Sequence, residues 1–192
     1  RAGHAVRRLD RRPGPKTEAF DVTDEASWDL LSHDRVTGLV HSAGIRRRAA
    51  LSETTLTDFR EVMDVNVTGT FLALRWASRA PIRSDAAFAS PLSVVALTSA
   101  VVDRRVESQV AYNASKAAIT ALTRSAAREL APLGTRVNAI APGSILTPMT
   151  EVGWNSERHA DRMRDEIPFH RPGDPDEVAS VVEFLLSTAS SY

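Results

Sequence analysis

Apolar residues along this 192-residue chain fall into two rhythms: short unbroken runs, and longer stretches that return every three or four positions. The first rhythm marks strands and the second amphipathic helices. Residues 5–9 carry a strand pattern interrupted by arginines. Residues 23–32 open on a capping residue, Thr23 or Asp24, and continue with helical spacing. A short apolar run at 36–41 ends in Ser42-Ala43-Gly44, and a helical pattern extends from 57 to about 79, as one helix or as two meeting near Asn66. Val94, Val95 and Leu97 mark a buried strand over 92–98. An alanine-rich helix covers 110–130 and is stopped by Pro132 and Gly134. Residues 136–140 form another strand, closed by Pro142-Gly143, and 174–186 a last helix with Pro175 in its first turn.

Strands alternating with helices predict an α/β fold, a doubly wound parallel sheet with helices on both faces, in a single domain. Ligands of such sheets bind at the carboxyl ends of the strands, so the residues that follow each strand carry the functional weight. Residues 148–173 break the regular spacing. They predict a long polar flap whose apolar contacts would be Trp154 and Met163.

Composition narrows the choices. The 43% hydrophobic and 25% charged fractions are those of an ordinary globular domain. Acidic and basic residues balance at 24 each, so no global field recruits nucleic acid or an anionic membrane. The absence of cysteine removes disulfides, thiolate catalysis and thiolate metal sites, and no metal centre is assigned. No apolar run approaches the roughly 20 residues that span a bilayer, and the N-terminus lacks the apolar core of a signal peptide. A cytoplasmic location is the expectation.

The candidate chemistry centres on Tyr112-Asn113-Ala114-Ser115-Lys116, in the first turns of the alanine-rich helix. A spacing of four puts the phenol and the ammonium on one face. A free tyrosine titrates near pH ~10, and a neighbouring ammonium favours its phenolate, which makes it usable as a general acid/base. Lys16 and Lys116 are the only lysines, and Tyr112 and Tyr192 the only tyrosines, so the pairing is a rare coincidence in this composition.

Ser99, thirteen residues before Tyr112 and just past a strand, extends the pattern, as does Asn66 in Asp64-Val65-Asn66-Val67. With them the sequence resembles the short-chain dehydrogenase/reductase family over nearly its whole length. The resemblance implies a Rossmann-like sheet and hydride transfer between a nicotinamide cofactor and an alcohol/carbonyl pair. It implies that Ser99 orients the substrate oxygen, that Tyr112 exchanges its proton, that Lys116 also binds the nicotinamide ribose, and that Asn66 holds a water on the proton path. Asp21-Val22 matches a motif that contacts the adenine, with a simple turn or cap as the other reading. His41-Ser42-Ala43-Gly44 stands where the family has Asn-Asn-Ala-Gly; the small residues allow close backbone approach, and His41 is taken as structural rather than as a base. Pro142-Gly143-Ser144-Ile145-Leu146-Thr147 matches the segment lining the nicotinamide, with Ile145 offering backbone groups and Thr147 a hydroxyl. Asp10, ending a strand, favours NAD over NADP because a carboxylate pairs with a ribose 2′-hydroxyl and repels a 2′-phosphate; Arg11 and Arg12 leave NADP open. A small alcohol or ketone substrate is implied, met by Val101, Val102, Gln109 and the flap around Trp154. A homotetramer or homodimer packed through the helices of Asn66 and Tyr112 is also implied.

The family's opening strand and glycine-rich, pyrophosphate-binding turn have no counterpart in this sequence, and the match stops before the family's last strand. The expectation is an excerpt of a longer chain, incomplete at both ends; a naturally truncated protein without cofactor binding is the alternative. Five arginines among the first twelve residues, with Arg46, Arg47 and Arg48, raise nucleic-acid binding as a rival, opposed by the zero net charge and the lack of any reader motif. One of Arg46, Arg47 and Arg48 facing an anionic substrate is a second possibility; plain surface arginines are the preferred reading. A catalytically silent scaffold is the third class, and the quartet of Asn66, Ser99, Tyr112 and Lys116 argues against it.

Overall fold

In the computed structural model the described residues are 5–81, 92–104 and 106–191, with the side chains of 158–160 and 162 left aside. Three parallel strands, β3 (Gly38–His41), β4 (Ser93–Leu97) and β5 (Arg136–Ile140), form one sheet in that order. Two shorter strands, β1 (Leu9–Asp10) and β2 (Glu18–Ala19), pair in parallel in a second. The register His41↔Ala96 and Leu97↔Ile140 brings the carboxyl ends of β3, β4 and β5 to one edge. The exits are tied together as well: Thr98 N–H donates to the Ile140 carbonyl (2.8 Å) and Ala100 N–H to that of Pro142 (3.0 Å).

Helices cover both faces of the three-stranded sheet. On one, Val94 and Val137 pack with Leu72, Ala73 and Trp76 of α3 (Gly69–Ser78) and Leu130 of α5 (Val110–Leu130). A fully buried aliphatic side chain contributes roughly 1.5–3 kcal/mol, so this layer carries much of the stability. The other face meets α8 (Pro175–Leu186). There the Ser93 hydroxyl and the Arg136 guanidinium both donate to the Leu185 carbonyl, and a Cβ on Gly38 would lie 3.1 Å from Leu186 Cδ2. The helices end where local chemistry ends them. Asp24 caps α1 (Glu25–Asp29), Thr55 caps α2 (Leu56–Met63), and Gly134, at φ 74°, closes the short 3-10 turn after α5.

Between α2 and α3, residues Asp64–Thr68 form a π-helical turn. The pattern over 57–79 is therefore two helices meeting at Asn66. Such turns cost hydrogen-bond geometry and recur at functional positions.

Several expected boundaries shift. The strand expected at 5–9 is only Leu9–Asp10, because the preceding arginines face water and Arg7 pairs with Glu18 (2.7 Å). The helix expected at 23–32 shortens to Glu25–Asp29; Leu30, its C-cap, is exposed and gives no packing to extend it. A turn of helix that the pattern does not predict, α4 (Val101–Arg104), follows Ser99. The segment 148–173, expected as a polar flap, contains α6 (Pro148–Trp154) and α7 (Glu157–Glu166). Its base is cinched: Gly173 N–H donates to the Ser144 carbonyl (2.8 Å) and Leu146 N–H to the Gly173 carbonyl (2.9 Å). Residues 1–4 and Tyr192 lie outside the described residues.

Candidate active site

At the end of β4 the Leu97 carbonyl accepts a hydrogen bond from Lys116 Nζ (2.8 Å). Lys116 sits in the second turn of α5 and is only 5% exposed. Burial alone pulls its ammonium down to about 8. Asn66, fully buried, faces the same point from the π-helical turn. Its Oδ1 accepts from Ile45 N–H (2.8 Å), and its Nδ2 donates to the Ile45 carbonyl (3.0 Å) and to Ser115 Oγ (2.9 Å). Ser115 in turn donates to the Tyr112 carbonyl (2.8 Å). A Cβ added to Gly44 would sit 3.3 Å from Asn66 Oδ1 and 3.6 Å from Lys116 Nζ. Three elements, the β3 exit, the π-helical turn and α5, thus converge within hydrogen-bonding reach.

Tyr112, half-buried, lies one turn before Lys116, whose Nζ is 5.5 Å from the phenol ring centre. Burial pushes the phenol up from its ordinary value, opposed by a hydrogen bond with Ser99 and by the Arg46 charge. The sequence assigns that opposing role to Lys116. Here the ammonium is turned to the Leu97 carbonyl instead, and the loss of water around the ring outweighs the favourable groups. Ser99 is buried in the first turn after β4, where its Oγ also accepts from Val101 N–H (3.3 Å).

The remaining predicted positions form a more open rim. Asp10 ends β1 and accepts from Arg12 N–H (2.8 Å). The Asp21 carboxylate accepts from the Thr23 amide and hydroxyl, which hold it below the usual carboxylate range. Val22 supports the fold: a Cβ on Gly69 would come within 2.9 Å of its Cγ2. Ser42 and Ala43 follow β3, and Pro142 and Gly143 follow β5, where a Cβ on Gly143 would meet nothing within 4 Å. Thr147 is the N-cap of α6, and its amide and hydroxyl are both engaged with Thr150 Oγ1. The Ile145 carbonyl accepts from that same hydroxyl. Both the Thr147 hydroxyl and the Ile145 carbonyl are therefore less free to serve a ligand than the sequence implies.

Three contributors were not legible as such. Ser115 lies inside the recognised motif, yet its link to Asn66, 49 residues away, leaves no mark in the spacing. The Ile45 backbone, which Asn66 clamps, has no residue-type signature at all. Arg46, half-buried, donates to the Met149 carbonyl of α6 and acts on Tyr112 through its charge. The arginine run flagged this position without distinguishing it from its neighbours.

His41 ends β3 at 5% exposure with no partner on Nε2. Burial, helped by the Lys116 charge, holds the imidazole down to about 4, so it is neutral near pH 7. The donor set fits a nicotinamide dinucleotide. A buried ammonium with one carbonyl partner stands beside a glycine whose added Cβ would crowd Asn66 Oδ1 at 3.3 Å, and an open glycine follows β5. Among the described residues no group of three or more His, Asp or Glu could hold a metal ion, and no helix is long and apolar enough to cross a membrane.

A family model described as enoyl-(acyl carrier protein) reductase matches residues 1–192. The chain is similar to the 3-oxoacyl-(acyl-carrier-protein) reductase of Aquifex aeolicus, 41% identical over 176 residues, which are 91% of this chain and 67% of that one. It is equally similar to the galactitol 2-dehydrogenase of Rhizobium johnstonii, 41% identical over 180 residues, 89% of this chain and 68% of that one. It therefore spans about two thirds of the length of these relatives. Among solved structures, one described as a 2-deoxy-D-gluconate 3-dehydrogenase from Agrobacterium tumefaciens, with bound NADP, superposes with a TM-score of 0.83. It is 30% identical, and the match covers 92% of this chain and 70% of that one. With the motif order, the parallel sheet and these likenesses in agreement, the chain belongs to the short-chain dehydrogenase/reductase family, NAD(P)-linked oxidoreductases of alcohols and carbonyl compounds.

Proposed function

We propose that this protein interconverts a small alcohol and its carbonyl product, with Tyr112 as the proton-exchanging group and residues 1–192 acting as one nicotinamide-binding domain. The observation that carries the reading is the convergence of Gly44, Asn66 and Lys116 at the foot of the helix that presents Tyr112 beside Ser99. When bound, the nicotinamide supplies the two-electron acceptor or donor. The chain's own residues do the rest. In the oxidation direction Tyr112 takes the substrate hydroxyl proton, and Ser99 hydrogen-bonds the same oxygen. Lys116, buried and poised near neutrality, holds the ribose and favours the phenolate once the site is filled. Asn66 serves the proton path as a positioning residue, since both of its amide protons and its carbonyl oxygen are already committed to Ile45 and Ser115.

Asp10, Asp21, Val22, Ser42, Ala43, Gly44, Pro142, Gly143, Ile145 and Thr147 complete the proposed cofactor contacts. NAD is the proposed coenzyme on the strength of the exposed Asp10 carboxylate at the β1 end. The NADP in the Agrobacterium structure and the adjacent Arg11 and Arg12 favour the second reading, NADP. Residues 148–173 are proposed to close over the substrate. Gln109, 3% exposed with an unpartnered Oε1, is a candidate acceptor for a second substrate hydroxyl. A homotetramer or homodimer in the cytoplasm is part of the same proposal.

The test is an absorbance assay that follows NADH and NADPH against a panel of ketones, and the reverse reaction against polyols and secondary alcohols. Turnover that is faster with NADH and abolished in Ser99→Ala is expected. Absence of turnover with either coenzyme, in a chain that melts cooperatively, would overturn the reading.

A further inference from the structure

Arg46 is the half-buried member of its arginine run, while Arg47 and Arg48 are exposed. Arg47 pairs with Glu61 (2.9 Å) and lies 3.9 Å from Asp58, and Arg7, Arg75, Arg79, Arg164 and Arg171 each meet a carboxylate within 2.8 Å. Arg46 is half-buried, and among the described residues no carboxylate pairs with it. Its recorded partner is the neutral carbonyl of Met149 in α6. Its backbone is placed with unusual firmness, because the preceding residue, Ile45, is held through both N–H and C=O by the Asn66 side chain.

A partly desolvated cation without a counter-charge is costly, and the cost persists in a fold only when something compensates for it. The neighbouring Arg48 raises that cost. The place of the cation matters as much as its isolation. It stands at the carboxyl edge of the sheet, between the Asn66 clamp and the first turn of α6, and Tyr112 is within reach of its charge. A guanidinium has five N–H donors in a planar fork, so one bond to Met149 leaves a face able to take a carboxylate in two parallel hydrogen bonds.

We propose that Arg46 selects the substrate by pairing with a carboxylate, so that the preferred substrates are short-chain hydroxy- and oxo-carboxylates rather than neutral alcohols. The proposal rests on the dehydrogenase reading for its reaction, but not for its binding step. The anion would dock on Arg46 while the reacting oxygen meets Tyr112 and Ser99, and α6 would exchange the Met149 contact for one with the bound acid. The coenzyme's pyrophosphate is the other source of an anion at this position.

Two measurements separate these possibilities. In the first, kcat/KM is compared for a series of short-chain hydroxycarboxylates and their primary amides. The acid is expected to be favoured by at least about tenfold, as for a charge-assisted hydrogen bond. Arg46→Gln should collapse that ratio towards unity, and Arg46→Lys should keep part of it. In the second, binding of the same acids and amides is titrated calorimetrically in the Tyr112→Phe chain, where turnover cannot interfere, with and without Arg46→Gln. Acid binding that depends on Arg46 upholds the anion site; if the chain with Tyr112 intact then turns over none of these acids or amides, it is the dehydrogenase reading that fails. Turnover without acid preference overturns the proposal and leaves the dehydrogenase reading standing. Equal losses for acid and amide, with a shifted pH profile, would make Arg46 a tuner of Tyr112. Weaker coenzyme binding in Arg46→Gln would assign the cation to the pyrophosphate; either result also overturns it.

Discussion

Around Asn66 and Lys116 the polar groups are buried, and the Asn66 amide and the Lys116 ammonium are committed to partners from other elements of the chain. Asp10, Ser42 and Gly143 stand exposed to water. Asn66 alone joins the β3 exit to α5 through three hydrogen bonds, whereas the one side-chain bond recorded for Asp10 goes to a residue two positions on. Buried polar networks are expensive to leave half-made, so they specify one arrangement; exposed turns tolerate change because water replaces what is lost. The comparison teaches that the proposed proton-exchanging centre is preorganised by the fold, while the proposed cofactor rim is left adjustable.

The sharpest way to break that contrast is Tyr112→Phe. Removing one hydroxyl should lower kcat by about 10²–10⁴-fold, with the melting temperature nearly unchanged because the ring remains packed. A steady-state assay beside a thermal melt reads both, and a loss of stability matching the loss of rate would contradict it. Asn66→Ala should act on the other side of the ledger. It strands the Ile45 N–H and C=O and leaves the Ser115 hydroxyl only its bond to the Tyr112 carbonyl, and should cost about 3 kcal/mol by urea unfolding. A cost below about 1 kcal/mol would mean the clamp is not what orders the site.

The two buried bases in the same cluster give pH tests of the same sign in separate windows, because burial lowers both folded values. His41 binds its proton at about 4 when folded and near 6.5 in the open chain. Its contribution to stability is thus complete above about pH 6.5 and is lost as pH falls towards 4, by roughly 2–3 kcal/mol. His41→Asn should flatten that stretch of the acid limb in denaturation experiments. Lys116 has its folded value lowered to about 8 from 10.5. The unfolded chain therefore binds more protons across that interval, and stability should rise as pH climbs from about 8 towards 10.5. Lys116→Met should remove the rise, and a wild-type curve with no rise would refute the burial argument. The smallest effect belongs to the rim: Asp10→Ala should change stability by less than about 0.5 kcal/mol, while moving the NAD to NADP preference ratio measurably towards NADP.

Much of this molecule was legible in one dimension because its local rules agree. The alanine-rich helix matches its expected span because composition, periodicity and the Pro132 and Gly134 stop coincide. The strand β4 emerges from a compact apolar run, β5 from a short strand pattern stopped by Pro142-Gly143, and the pair Tyr112 and Lys116 from a four-residue spacing on that helix. The helices within 148–173 were not legible, since their polar surfaces carry little apolar periodicity; seven residues of α6 and ten of α7 start from Thr147 and Ser156 caps and are organised by the cinch at Gly173.

By itself the sequence determined the αβ alternation, the family motifs and the residue types of the site, because these follow from neighbours a few positions apart. Only the tertiary structure decided the partners. It alone turned the Lys116 ammonium to the Leu97 carbonyl and locked the Asn66 amide on Ile45 and Ser115. It likewise separated Arg46 from the arginines beside it. Hydrogen bonding, desolvation and charge pairing depend on distance through space, and residues 49 positions apart in sequence meet at 2.9 Å only once the sheet and helices are packed.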